Sequence, residues 1–97
     1  MTAYMIAQVD VTDPEKFEAY RALVPATLEK YGGEYIVRGG DMAVLEGEMP
    51  FPRVVVIQFP DLDSIKRWHA SEEYAMPLKM RQASADSVLI GVEGVDA

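Results

Sequence analysis

Seven side chains of this sequence combine suitable chemistry with positions that favour a site for a small organic molecule. They comprise two amides, a carboxylate, a guanidinium, an imidazole and two aromatic rings with a polar atom: Gln8, Asp10, Arg38, Gln58, Trp68, His69 and Tyr74. Amides and carboxylates form hydrogen bonds with a ligand, and a guanidinium binds anions. We therefore take these seven as the candidate ligand-binding residues.

His69 is the only histidine, so proton transfer near neutral pH would fall to it. Projected onto a helix at about 100° per residue, Leu62, Ile65 and His69 lie within about 60° of one another, and Trp68 lies on the other flank. This places the imidazole on or beside a buried face. The alternative is a half-buried structural histidine that is hydrogen-bonded to the backbone. The sequence favours that alternative because no second histidine or cysteine is present, and the catalytic residue stays unknown with His69 as its candidate.

The two amides follow the alternation of two strands. Gln8 and Asp10 continue the phase of Tyr4 along the first strand, and Gln58 continues the phase of Val56 along another. If those strands are neighbours, Gln8 and Gln58 would lie close together on one face of a sheet. An apolar cavity with a few convergent polar groups is typical of small-molecule sites. The alternative is that these residues lie at strand ends and contact solvent.

Arg38 ends a strand beside Gly39 and Gly40, which permit close backbone approach. It could hold a ligand carboxylate, or form a salt bridge at the rim with an acidic residue such as Asp41 or Glu46, or with a second subunit. For Tyr74, the sequence predicts a packed ring whose hydroxyl reaches a polar partner.

Composition excludes several classes of function. Nine Lys and Arg against 16 Asp and Glu give a net charge of −7, which disfavours nucleic acid and anionic membranes as partners. With no cysteine and one histidine, we expect no metal site, and the glycine pairs lack the spacing of a nucleotide-binding loop, so we expect no cofactor. No stretch is apolar enough for a membrane span, and the N-terminal residues lack signal-peptide features; we expect a cytoplasmic protein.

The elements that must position these residues alternate along a single domain, residues 1–97. Strands are predicted over 3–11, 34–38, 53–59 and 86–93, with a short strand or bent continuation over 42–46. Helices are predicted from 13 or 14 to Gly32, from about 60 to 71, and over 72–83 with an interruption at Pro77; Pro25 should kink the first. This order predicts a ferredoxin-like βαββαβ fold of the α+β class with an antiparallel sheet.

The strands are apolar on both faces. Met5 and Ala7 share one face of the first strand, but Tyr4 and Ile6 make the opposite face apolar as well. Two helices cover only one face of a sheet, and an antiparallel sheet with one face in water should alternate. We therefore expect a homodimer through the uncovered sheet face, unless the segment after residue 71 folds across it.

Short stretches along nearly the whole chain carry a family resemblance: Val9 to Pro14, Lys30 to Gly33, Val37 to Gly40, Leu45 to Gly47, Phe59-Pro60, Trp68 with Ser71 to Tyr74, and Val92 to Val95. In order and spacing they resemble domain-of-unknown-function family 1330 (DUF1330) of the dimeric α/β-barrel superfamily. The resemblance implies sheets that pair face to face into a barrel across a homodimer. It implies no established activity, because the wider superfamily includes cofactor-free monooxygenases, haem-handling enzymes and isomerases. His69 matches no haem-ligand motif.

Three functions remain open. The first is a homodimer that binds a small organic molecule between the sheet and the helices or at the barrel mouth. The second is a cofactor-independent monooxygenase or isomerase for a small aromatic or carbonyl compound, with His69 as base and Arg38 or Tyr74 orienting the substrate. The third is a structural or partner-binding dimer without a ligand, with a barrel interior filled by apolar side chains: Tyr4, Ile6, Val54, Val56 and Leu89.

Overall fold

A computed structural model of the chain describes residues 2–95. Its elements, in chain order, are β1 (Ala3–Val11), α1 (Pro14–Leu28) with a 3₁₀ turn (Glu29–Tyr31), β2 (Glu34–Arg38), β3 (Arg53–Phe59), α2 (Leu62–His69), α3 (Glu72–Ser84) and β4 (Ala85–Glu93). The strands form one antiparallel sheet in the order β2-β3-β1-β4. This confirms the predicted ferredoxin-like α+β fold.

The helices begin and end at the residues whose chemistry favours it. Asp13 caps α1 by accepting a hydrogen bond from the Lys16 amide at 3.2 Å, with Pro14 at the first helical position. Asp61 caps α2 in the same way. Gly32 ends the 3₁₀ turn with a φ of 71°, a left-handed conformation that favours glycine.

Two predicted details are wrong, the strand over residues 42–46 and the interruption at Pro77. Residues 42–46 form no strand but lie in an exposed loop between β2 and β3, because none of the four strands pairs with them. Pro77 does not interrupt α3, and α1 continues through Pro25. Pro77 is buried, so packing against the rest of the molecule outweighs the lost backbone hydrogen bond.

One face of the sheet is covered by the helices. Alternate residues of β1 are buried there, from Ala3 to Val9. Trp68, Tyr74 and Phe59 form the aromatic centre of this core, with the Trp68 and Tyr74 ring centroids 4.2 Å apart. Along α2, Trp68 is completely buried, and His69 lies exposed beside the buried face that Ile65 and Trp68 form.

The other face, which we call the open face, is apolar and uncovered within residues 2–95. Its members with large apolar side chains are 40–51% exposed and include Ile36, Val37, Val88, Ile90 and Val92. Leu89 does not belong with them, contrary to the prediction, because it pairs with Ala7 and lies on the helix-covered face. No helix in the described range has both the length and the apolar character that a membrane span requires.

Candidate functional site

A pocket between α1 and the helix-covered face of the sheet is the best candidate for a functional site. Its floor and walls are apolar and come from β1, β3, β4 and α1: Met5, Ala7, Val9, Phe17, Val55, Ile57 and Leu89. The polar groups are two tyrosines and four arginines: Tyr20, Arg21, Tyr35, Arg38, Arg53 and Arg81. We call this site the arginine pocket. A mostly apolar cavity with a few converging polar groups is the usual form of a ligand site.

Arg38 reaches the pocket because β2 is irregular. Tyr35 and Arg38 are three residues apart, so a regular strand would point them to opposite faces. The register shifts between Tyr35 and Val37, with Tyr35 opposite Ile57 and Arg38 opposite Val55. Both therefore lie on the helix-covered face. Bulges of this kind often redirect a side chain beside a site.

Pro25 helps to fix the Arg38 side chain. A proline has no amide hydrogen, so the carbonyl of Arg21, four residues earlier in α1, lacks its helical donor. The Arg38 guanidinium supplies that donor at 3.2 Å. Its carbon also lies 4.4 Å from the centre of the Tyr35 ring. The proline that was expected only to kink the helix thus creates an acceptor for a pocket arginine.

Arg53 is held from the opposite wall. It lies across from Val9 in the register of β1 and β3, and its guanidinium carbon is 5.3 Å from the centre of the Phe17 ring. Stacking on a ring leaves the in-plane N–H groups of a guanidinium available to other acceptors.

Arg81 is the innermost arginine, with only 6% of its surface exposed. Its Nε donates to the Tyr74 hydroxyl at 3.3 Å, and a terminal nitrogen donates to Ser87. The Tyr74 hydroxyl lies 2.8 Å from that of Tyr20. Either of these two hydroxyls can be the donor, and Arg81, Tyr74 and Tyr20 together form one hydrogen-bonded chain.

Burial also sets the protonation of the pocket tyrosines. Desolvation raises the pKa of Tyr20 far above its ordinary value, and the neighbouring Tyr74 raises it further. Desolvation likewise raises the pKa of Tyr35, against a smaller opposite effect of Arg38. Both phenols are neutral hydrogen-bond donors at physiological pH.

His69 is not in the arginine pocket. It lies at the end of α2, between two open depressions beside β4 that are shared with Gly91 on one side and Asp86 on the other. Partial burial, and then the charge of Arg81, hold the pKa of His69 below its ordinary value. The structure therefore does not bring His69 and Arg38 to one cavity.

Two aromatic candidates have roles in the core. The indole Nε1 of Trp68 donates to the Thr27 hydroxyl at 3.0 Å. The Tyr74 ring is packed and its hydroxyl does reach polar partners, as predicted. Tyr74 contributes to the arginine pocket through Tyr20 and Arg81 and does not line it.

The remaining candidates lie on the open face and apart from one another. Gln58 is opposite Tyr4, whereas Gln8 is opposite Val54, which separates the amides by four residues or about 13 Å along the strands. Asp10 is opposite Asp86 at one end of the sheet. The strands are neighbours as predicted, but their register does not bring the two amides together.

Sequence reasoning missed most of the arginine pocket. Tyr20, Arg21 and Tyr35 were not singled out, and neither were Arg53 and Arg81. One signal was available, because Arg81 follows Tyr74 by seven residues and therefore lies on the same face of a helix two turns later. The other residues come from separate elements and have no common spacing.

The fold and the pocket place the chain among small ferredoxin-like α+β proteins. The chain belongs to the family described as domain of unknown function (DUF1330), whose profile matches residues 2–95. No protein of curated function shows significant sequence similarity to it.

Several solved structures share the fold at low sequence identity. A protein of unknown function from Rhodopseudomonas palustris superposes with a TM-score of 0.80 at 20% identity, over 99% of this chain and 84% of that chain. A dimeric ferredoxin-like protein of unknown function from Jannaschia sp. CCS1 gives 0.78 at 12% identity, over 97% and 100%. SnoaB, a cofactor-independent oxygenase from Streptomyces nogalater, gives 0.66 at 16% identity, over 99% and 95%.

Proposed function

We propose that the protein is a homodimer in which each subunit binds a small organic molecule in its arginine pocket. The observation that carries the ligand-binding part is the convergence of Tyr20, Arg38 and Arg53 on a cavity with an apolar floor. Because these residues all come from one chain, the pocket is complete in each subunit.

The open face supports the dimer. Val88, Ile90 and Val92 of β4 lie there with about half of their surfaces exposed, next to partly buried β1 residues such as Ile6. A contiguous apolar sheet face of this kind marks an interaction surface. A second copy of the chain is the occupant we propose, and three of the solved structures that share the fold are described as dimeric.

Light scattering at micromolar concentration tests the dimer. The wild type should have twice the chain mass of 10.8 kDa. Ile90→Glu should give a folded monomer because it buries a charge in the proposed interface. Met76→Glu is the matched control, since Met76 is a 70% exposed apolar residue on α3, and it should leave the mass unchanged. A monomeric wild type contradicts the dimer.

A thermal-shift screen of small organic molecules tests ligand binding. A ligand at a hundredfold excess over its Kd should stabilise the protein by about 2.7 kcal/mol. Amide shift changes in the NMR spectrum should then map to the arginine pocket. If no compound stabilises the protein or shifts those resonances, the ligand-free structural dimer is the better description.

A cofactor-independent enzyme is the second candidate, and one observation favours it. The lowered pKa of His69 keeps the imidazole neutral at physiological pH, which is the form a general base requires. SnoaB shows that the fold hosts such chemistry in another protein. An NMR titration of His69 tests whether the pKa of its imidazole is lowered. An imidazole pKa at or above the ordinary value contradicts this argument for an enzyme.

A further inference from the structure

The arginines of this acidic chain are concentrated at one place. Four of its five arginines line the arginine pocket, although the chain as a whole carries 16 acidic residues against nine Lys and Arg. No Asp or Glu from the described part of the chain lines the pocket. The fifth arginine, Arg67, lies elsewhere on α2 and faces Asp63 at 3.9 Å.

Three of the four pocket arginines have no carboxylate partner. Arg21 pairs with Glu18 at 2.9 Å at the rim. Within residues 2–95, no salt bridge involves Arg38, Arg53 or Arg81. For Arg81, which is 6% exposed, this is costly because a buried charge is normally compensated by an opposite one. An anion in the pocket would provide that compensation.

The donors are also oriented for an anion. Arg38 and Arg53 lie over the rings of Tyr35 and Phe17. The N–H groups of Arg53, and those of Arg38 that do not donate to the Arg21 carbonyl, are available to a planar two-oxygen acceptor. Tyr20 adds a neutral hydroxyl to the pocket lining.

The shape of the pocket limits the rest of the ligand. The pocket is narrow, with a cavity volume of about 30 Å³. An apolar cavity that admits benzene has a volume of roughly 150 Å³. A slender, unbranched chain therefore requires less displacement of the lining side chains than a ring does.

From these features we infer that the arginine pocket binds an organic carboxylate on a slender, unbranched apolar chain. The inference rests on the proposed ligand-binding function and specifies the chemical class. The carboxylate interacts with the guanidinium groups and the chain contacts the apolar floor.

Titration calorimetry with four probes tests it: hexanoate, 1-hexanol, acetate and benzoate. Hexanoate should bind at least about tenfold more tightly than 1-hexanol, since the alcohol has no negative charge and no second oxygen to pair with a guanidinium. The affinity for hexanoate should also exceed the affinity for acetate, which lacks the chain, and for benzoate, which carries a ring.

Variants locate the effect. Arg38→Met and Arg53→Met should each weaken hexanoate binding about tenfold or more and leave 1-hexanol binding unchanged. Arg67→Met removes the same charge from an exposed site on α2 and should bind hexanoate like the wild type. Arg38 and Arg53 are not fully buried, so both variants should fold, which circular dichroism checks.

Each other outcome contradicts a distinct statement. Equal binding of hexanoate and 1-hexanol overturns the carboxylate but leaves the proposed ligand-binding function standing. If acetate or benzoate binds as tightly as hexanoate, the inference of a slender apolar chain is wrong. If the Arg38, Arg53 and Arg67 variants all lose the same hexanoate affinity, the arginine pocket is not the binding site. If neither charged nor neutral probes bind, this inference falls, and the proposed function fails if the compound screen also finds no ligand.

Discussion

Replacing Tyr74 with phenylalanine tests whether the buried hydroxyl chain holds Arg81 in place. The Tyr74 hydroxyl accepts from Arg81 Nε at 3.3 Å and lies 2.8 Å from the Tyr20 hydroxyl. Phenylalanine keeps the ring but leaves a charged, buried donor without an acceptor. Such a loss costs about 1.5–3 kcal/mol, so we expect the free energy of unfolding to fall by about 2 kcal/mol. For a domain of this size the melting temperature should fall by roughly 8–16 °C.

Tyr31→Phe is the matched control for this measurement. The Tyr31 hydroxyl donates to Glu73 at 3.3 Å at the surface, so its loss should change the free energy of unfolding by less than about 0.5 kcal/mol. Urea denaturation at one fixed protein concentration gives both values, since a dimer would make stability depend on concentration. A Tyr74 variant within about 0.5 kcal/mol of the Tyr31 variant would refute the reasoning about the buried chain.

Three further predictions concern other parts of the molecule. Thr27→Val leaves the buried indole N–H of Trp68 without its acceptor and should cost about 1–3 kcal/mol in urea denaturation, whereas Thr27→Ser keeps the hydroxyl and should cost less. The lowered pKa of His69 means that the unfolded chain binds a proton first, so the free energy of unfolding should decrease as pH falls through about 6.5 and level off below the folded pKa. His69→Gln should remove this decrease in the free energy of unfolding. If the variant shows the same pH profile as the wild type, the decrease does not come from His69. Gly32→Ala introduces a side chain at a φ of 71° and a Cβ only 2.8 Å from a proline carbon, so thermal unfolding should show a loss of more than about 1 kcal/mol, with Gly40→Ala, which meets nothing within 4 Å, as the near-neutral control.

The sheet could be predicted from sequence because its strands alternate with a period of two. Met5, Ala7 and Val9 were assigned to one face of β1, and the structure buries all three against the helices. The loop over residues 42–46 could not be assigned in this way, because a strand requires a neighbour as well as a local preference.

The arginine pocket depends on features that a single sequence hides. Arg38 was singled out for its position beside two glycines, but its direction is set by the register of β2 against β3. Arg53 and Arg81 become neighbours of that pocket only through the sheet order and the packing of α3. Local pattern predicts the elements, whereas the site is assembled by contacts between residues far apart in the chain.

The irregular register of β2 has a consequence for how this molecule can change. One extra residue between Tyr35 and Arg38 adds Ile36 beside Val37 as a second exposed apolar side chain, and neither of them lines the arginine pocket. Deleting Ile36 would convert β2 into a regular ladder with Arg38 still opposite Val55. A change of one residue in length would thus reshape the open face while the arginine pocket behind it kept Arg38. The open face and the helix-covered face of this small sheet can therefore change in sequence independently of each other.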